Sequence, residues 1–329
     1  MTRVLEVPPD ATPAHPAIVE AARVLRAGGL VAFPTETVYG LGANALDAAA
    51  VRAIFAAKGR PSSNPVIAHV PDVAAARRLV RAWPAAAQQL ATAYWPGPLT
   101  LVLPKAADVP AVLTAGQGAV AVRCPSHPVA LALLRAAGVP IAAPSANPST
   151  QLSPTLARHV VEHLRGRVDL VLDGGPTSVG IESTVVDLSG DRPRLLRPGS
   201  IARPALERLL GPLADPDADA PALSPGMAAL HYAPRAALRL VAEGGALEDV
   251  LCAEASEGRL LGVIARRKVH APDVLAVRLP DDAAGYARDL YAALHALDAE
   301  GVALILVEEV PPDAEWEGVR DRIGRAARG

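Results

Sequence analysis

Residues 28–70 read GGLVAFPTETVYGLGANALDAAAVRAIFAAKGRPSSNPVIAHV, and the rest of the chain is interpreted outward from this stretch. The apolar run Leu30–Phe33 has the character of a short strand and ends in the polar turn Pro34-Thr35-Glu36-Thr37. Ala48–Ala57 predicts a helix that delivers Lys58 and Arg60 to a Pro/Ser-rich loop, and a second strand, Val66–Val70, carries His69 near its end. Two cations, several hydroxyls and the amide of Asn64 therefore fall on loops beside strand ends. A polyanion such as a nucleoside triphosphate would be stabilised there. Both Lys58 and Arg60 are expected on an exposed loop.

A length of 329 residues suggests two domains. Alanine is abundant, aromatics are 3% of the chain, and lysine occurs only at Lys58, Lys105 and Lys268. The arginine excess reads as a compositional background, so most arginines need no functional explanation. A net charge of -2 provides no global basic field for nucleic acid, so any anion site must be local. Cys124 and Cys252 form no CxxC and imply two buried free thiols in a reducing compartment. The N-terminal residues lack the pattern of a signal peptide. The uncharged segment Ala82–Pro104 is interrupted by Pro84, Pro96, Gly97 and Pro98, which argues against a membrane span. A soluble, cytoplasmic protein is expected.

His15–Ala27 has helical periodicity, as do Val73–Arg81, Pro128–Ala137 and Thr155–Leu164. Strand-like runs occupy Leu99–Leu103, Ala119–Arg123, Val139–Ala143, Leu170–Leu172, Thr184–Leu188 and Arg194–Leu196. This predicts an α/β domain whose sheet is mixed, because the late strands look hairpin-like. Gly211–Ala233 has the composition of a linker, after which strand and helix patterns resume as a smaller Rossmann-like α/β unit. The expected division is 1–211, 212–236 and 237–329.

Two motifs carry less than they promise. Gly40-Leu41-Gly42-Ala43-Asn44-Ala45 satisfies GxGxxG/A, but it does not directly follow the strand, and cations replace the expected acid. Close backbone packing explains these glycines better. His159-Val160-Val161-Glu162-His163 matches HxxEH, a zinc-peptidase pattern, yet its arginine flanks read as a solvated helix face.

Four further segments lie on loops after predicted strands. One is the Arg123-Cys124-Pro125 strand end, and another is Pro144-Ser145-Ala146-Asn147-Pro148-Ser149 followed by Ser153. The others are Gly180-Ile181-Glu182-Ser183-Thr184 and Leu196-Arg197-Pro198-Gly199-Ser200. Together with PTETVYGLG and KGRPSSNP, this ordered set resembles the threonylcarbamoyl-AMP synthase family, built on the YrdC-type domain. Ser224-Pro225-Gly226-Met227 and His231-Tyr232-Ala233-Pro234 resemble the linker of its long, two-domain form. Two positions depart from the pattern: Thr150 stands where glycine is common, which bears on a loop conformation, and Ala228-Ala229-Leu230 replaces more polar residues.

The resemblance implies a YrdC-type twisted mixed sheet with helices, followed by the C-terminal domain. It also implies condensation of L-threonine, bicarbonate or CO2 and ATP into threonylcarbamoyl-AMP and pyrophosphate. Mg2+ would accompany ATP, with Glu36 an indirect contributor and no protein-built metal site. The product would pass to the machinery that forms threonylcarbamoyladenosine in tRNA. Lys58 and Arg60 would hold ATP phosphates as catalytic cations, with Asn64 shaping their loop. Ser145, Asn147, Ser153 and Arg197 would also bind the nucleotide, and Tyr232 would close over it as a lid. Thr35, His69, Arg123 and Ser183 would form the threonine pocket. An RNA-binding module of the same fold is the alternative. It would call for basic residues interleaved with aromatics, which this chain lacks.

Overall fold

The computed structural model of the chain describes residues 2–216, 232–242, 246–255, 259–271 and 273–328. Its larger sheet has ten strands. These are β1 (Arg3–Glu6), β2 (Val31–Phe33), β3 (Gly40–Asn44), β4 (Ala68–His69) and β5 (Leu99–Pro104), then β6 (Ala119–Arg123), β7 (Ile141–Ala142), β8 (Leu170–Asp173), β9 (Thr184–Asp187) and β10 (Arg194–Arg197). Their spatial order is β1-β8-β2-β3-β7-β4-β6-β5-β9-β10. Parallel pairs such as β4 with β6 are interspersed with antiparallel ones such as β2 with β3, so the sheet is mixed as expected.

Helices cover both faces of this sheet. They are α1 (Pro16–Arg26), α2 (Ala48–Lys58), α3 (Val73–Arg77), α4 (Ala85–Tyr94), α5 (Pro128–Ala137), α6 (Ala157–Leu164) and α7 (Arg203–Leu210). Alternation along β2 divides the cores. Val31 and Phe33 pack with Ile18, Leu25 and Leu133 on one face, whereas Ala32 joins Ile54 and Val160 on the other. Several helix limits follow from capping. The Asp47 carboxylate accepts from the amides of Ala49 and Ala50 at the start of α2, and Gly59 ends that helix in the left-handed conformation. α5 begins with His127 as cap followed by Pro128 and ends at Gly138.

The smaller sheet is wholly parallel, in the order β11-β14-β12-β13. Its strands are β11 (Ala237–Val241), β12 (Leu261–Ala265), β13 (Val274–Arg278) and β14 (Leu304–Glu308). Helices α8 (Ala246–Ala255), α9 (Ala283–Ala299) and α10 (Glu317–Ala326) accompany it. Every residue of β12 is buried, as a parallel strand covered on both faces requires. The core under α9 and α10 does not stop at the domain boundary. It takes in Val38, Leu152 and Ile181 from the larger domain, so the two units share one apolar core.

Four elements escaped the sequence patterns: β1, β3, α4 and α7. β3 holds Gly40 and Gly42, and a Cβ on Gly42 would lie 2.8 Å from the Phe33 ring, consistent with the close-packing explanation of these glycines. The uncharged segment resolves into α4 and β5, and no described helix is long and apolar enough to cross a membrane. The expected linker is packed at its start. Leu213 is buried and Ala214 bridges to Arg194. Residues 217–231, with the Ser224-Pro225-Gly226-Met227 motif and His231, lie outside the described residues, as does the Cys252 side chain. Cys124 is a buried free thiol.

Candidate active site

A cleft opens where β2, β4, β6 and β10 present their C-terminal ends or following loops. Its lining includes Thr35, Arg60, His69, Arg123, Ser145, Arg197 and Tyr232. The loops predicted to carry chemistry thus converge on one concavity, although they are up to 197 positions apart, from Thr35 to Tyr232.

The Thr35 hydroxyl closes its own turn, donating to the Val38 carbonyl at 2.6 Å and accepting from the amides of Thr37 and Val38 at 3.2 Å. Arg123 Nη2 donates to Glu36 Oε1 at 2.7 Å, and both side chains are 5% exposed. The second Glu36 oxygen accepts from the Ser126 amide at 3.1 Å. This leaves Arg123 Nε buried without a hydrogen-bond partner among the described residues, and His69 Nδ1 is in the same condition. Burial, helped by the neighbouring Arg123 charge, pushes the His69 imidazole down to about 3, so it stays neutral at ordinary pH. Buried polar atoms left unpaired on a cleft wall are costly unless a ligand meets them.

Arg60 Nε and Nη2 donate to the carbonyls of Asn64 and Pro65 at 3.2 and 3.0 Å, so Asn64 shapes the loop through its backbone. Burial lowers the Arg60 pKa to about 10, and the nearby Arg197 charge acts in the same direction, so the guanidinium remains charged. Arg197 Nε and Nη2 donate to the Ser183 carbonyl and hydroxyl at 3.0 and 3.1 Å.

The structure corrects the expectation of an exposed cationic loop: Lys58 is 2% exposed and Arg60 7%. Lys58 ends α2 with its ammonium turned inward. Nζ donates to the Ser145 carbonyl at 2.6 Å and also to the Asn147 carbonyl. The Lys58 carbonyl accepts from the Ser149 amide at 2.8 Å, so helix end and loop 144–149 are tied twice. Burial, reinforced by the Arg60 charge, pulls its pKa well below the usual lysine range. Ser183, Asn147 and Ser153 are likewise not on the cleft wall. Ser183 is fully buried and shares a 2.7 Å hydrogen bond with Thr100. Asn147 Nδ2 donates to the Pro148 and Gln151 carbonyls. The Ser153 hydroxyl donates to Glu182, a cleft residue that sequence reasoning did not select. The missed signal lay in the Gly180-Ile181-Glu182-Ser183 segment, where only the serine was chosen.

The sequence and its fold match known proteins over nearly their full length. The Sua5/YciO/YrdC family profile, described as telomere recombination, covers residues 23–199. The profile described as the C-terminal domain of threonylcarbamoyl-AMP synthase covers residues 201–328. The Pyrococcus abyssi threonylcarbamoyl-AMP synthase is 44% identical over 318 residues, 93% of each chain. The Bacillus subtilis enzyme of that name is 42% identical, across 95% of this chain and 94% of its own. The crystal structure of P. abyssi Sua5 complexed with L-threonine superposes with a TM-score of 0.93 at 42% identity, covering 99% of this chain and 98% of that one. The chain belongs to the threonylcarbamoyl-AMP synthase family.

The departure at Thr150 has a structural consequence within this family framework. Thr150 adopts φ 73°, a left-handed conformation that a β-branched residue takes only under strain. Its carbonyl accepts from the Ala233 amide at 2.9 Å, anchoring the segment that brings Tyr232 to the cleft. Thr150→Gly is expected to stabilise the protein by about 1 kcal/mol net of glycine's larger unfolded-state entropy. Chemical denaturation checks this, and an unchanged or lowered midpoint contradicts it.

The HxxEH motif is also corrected. His159 and His163 do share a helix face, but that face is packed against α9. His159 is buried, with its ring 3.8 Å from that of His295, and the His163 ring lies 5.3 Å from the same residue. Among the described residues, no group of three His, Cys, Asp or Glu side chains is placed to hold a metal ion. Burial, with the neighbouring His163 charge, holds the His295 imidazole down at about 4, against an ordinary value of 6.5. Arg158, Glu162, Arg235 and Asp298 also face this cluster. Because the folded value is depressed, the unfolded chain binds more protons as pH falls below 6.5, and the folded state loses stability between there and about 4. His295 alone should cost about 1 kcal/mol between pH 7.5 and 5.5. Thermal unfolding across that range tests this. His295→Phe should make the profile shallower by about that amount, the buried His69 and His159 keeping the rest, and an equally steep variant profile contradicts the assignment.

Proposed function

We propose that this protein is an L-threonylcarbamoyladenylate synthase acting as a nucleotidyltransferase. L-threonine, bicarbonate or CO2 and ATP would yield threonylcarbamoyl-AMP and pyrophosphate. The observation that carries this reading is the pairing within one cleft of two unpartnered buried atoms, Arg123 Nε and His69 Nδ1, with two guanidinium groups, Arg60 and Arg197. The former suit a small zwitterion and the latter a polyphosphate.

The threonine carboxylate would take Arg123 Nε. Neutral His69 would meet the substrate hydroxyl or amine, with the Thr35 turn packing beside it. The free amine forms an N–C bond to CO2 as one C–O π bond opens onto oxygen, and the N–H proton leaves to solvent, giving a carbamate. A carbamate oxygen then forms a bond to the α-phosphorus while the bond from that phosphorus to the bridging oxygen breaks, and pyrophosphate leaves with the electron pair. No protein nucleophile is needed, so catalysis comes from positioning and charge. Arg60 and Arg197 would stabilise the phosphates, Ser145 would hydrogen-bond them, and Tyr232 would wall the nucleotide from water. Lys58, Asn147 and Ser183 would act one layer out, holding loop 144–149 and Arg197. Ser153 would also act one layer out, through Glu182, to which its hydroxyl donates. Glu182 on the cleft wall and Glu36 behind it are each engaged by an arginine, so Mg2+ would arrive as part of the substrate, Mg–ATP. The product would serve tRNA threonylcarbamoylation in the cytoplasm.

Pyrophosphate release should require both threonine and bicarbonate. Valine, which is isosteric but lacks the hydroxyl, should be a poor substitute because a site built around a hydroxyl rejects analogues without it. Equal turnover with valine, or release without any amino acid, would sink this reading.

A further inference from the structure

Glu182 is a carboxylate on a cleft wall whose other charged residues are Arg60, Arg123 and Arg197, and its partners come largely from the C-terminal domain. Arg322 Nε, on α10, donates to Glu182 Oε2 at 2.6 Å, and the Arg322 side chain is 0% exposed. Arg322 also donates to the Glu182 carbonyl at 3.2 Å and the Pro198 carbonyl at 3.0 Å, which fixes it to both cleft loops. Tyr291, on α9, donates to Glu182 Oε2 at 3.2 Å. The Arg322 guanidinium lies 5.2 Å above the Tyr232 ring. Docking is close at the backbone level too, since a Cβ on Gly180 would lie 2.4 Å from the Ala287 carbonyl oxygen of α9.

Left without Arg322, Glu182 would be a buried charge beside Arg197. Such a charge seeks the nearest cation and repels an incoming anion. We propose that Arg322 is a positioning residue for the nucleotide end of the site: by holding Glu182 it keeps that carboxylate from recruiting Arg197 and from opposing the polyphosphate, so ATP affinity depends on the docking of α10. The proposal rests on the assignment of Arg60 and Arg197 to phosphate. It gives the C-terminal domain a direct share in substrate binding, through a side chain 140 positions from its partner.

The test is calorimetric binding of ATP, inorganic pyrophosphate and L-threonine, each measured separately, to the full chain and its variants. Arg322→Met should weaken ATP and pyrophosphate at least about tenfold, because the uncompensated Glu182 carboxylate repels the phosphates and draws on Arg197. Threonine affinity should stay near wild type. The double variant Arg322→Met/Glu182→Gln should recover most of the loss, because the uncompensated charge is gone. Glu182 also faces Arg197, Lys58, Ser153, Tyr232 and Tyr291. In Arg322→Met alone, ATP binding, taken relative to wild type at each pH so that the nucleotide's own titration cancels, should improve as pH is lowered and Glu182 takes up a proton. If Arg322→Met does not fold, the comparison is Arg322→Gln against Arg322→Gln/Glu182→Gln, with the same direction expected. Unchanged ATP and pyrophosphate affinity overturns the proposal. So does an equal loss for threonine that Glu182→Gln fails to rescue, which would mark Arg322 as structural. A wild-type protein that binds pyrophosphate but not ATP would sink the nucleotide reading, and the predicted Arg322 effect on pyrophosphate would still decide this one.

Discussion

Arg123→Ala is expected to destabilise the fold and remove threonine binding together. The two effects share one cause. Glu36 and Arg123 are each 5% exposed and pair at 2.7 Å, so truncation leaves the Glu36 carboxylate buried with the Ser126 amide as its remaining donor among the described residues. Losing one member of a buried ion pair costs about 3–5 kcal/mol. The same change removes Nε, the atom left for a substrate carboxylate, and should weaken threonine by about 2–5 kcal/mol. Arg123→Lys separates the two effects. An ammonium can still neutralise Glu36, but it cannot serve Glu36 and a second carboxylate with a planar fork. Thermal unfolding near wild type with threonine binding lost is therefore the expected result for lysine. Wild-type threonine affinity in Arg123→Lys would contradict the assignment.

Lys58→Met should lower stability by about 2–4 kcal/mol, because it leaves the inward-facing carbonyls of Ser145 and Asn147 without their donor. From sequence alone, the expected loss was catalytic and the expected effect on folding small. The buried geometry reverses that order. Loop 144–149 carries Ser145 to the cleft, so ATP turnover should fall as a consequence of loosening the loop. Denaturant unfolding and ATP kinetics, measured on the same variant, distinguish the two origins. A wild-type unfolding midpoint with impaired ATP binding would mean that Lys58 reaches the phosphates directly and that its inward orientation changes on binding.

Much of the architecture was legible because its determinants are local. The limits of α5 follow from His127-Pro128 and Gly138, and those of α2 from Asp47 and Gly59. β6 was read at its observed bounds from an apolar run. β1 was not legible because it is largely exposed and acquires strand character by pairing with β8, far along the chain. β3 was obscured by glycines that serve contact with Phe33. α4 was hidden by an uncharged sequence that raised the question of membrane insertion before that of amphipathicity. α7, with Pro204 near its start, went unread beside the linker.

The sequence by itself determined which loops follow which strands, and hence which residue types could meet at the cleft. That information is encoded in short motifs, each read within a few residues. Only the tertiary structure decided which way those side chains face. Lys58 and Ser183 turn inward because carbonyls and hydroxyls from distant loops accept and donate there. His159 faces α9 because the two domains share an apolar core, which a solvated-face reading of one helix does not register. Arg322 was the least legible of all. In a chain this rich in arginine, nothing local separates it from its surface neighbours on α10. Its role arises from a buried carboxylate 140 positions away, and pairing at that distance is a property of the packed fold.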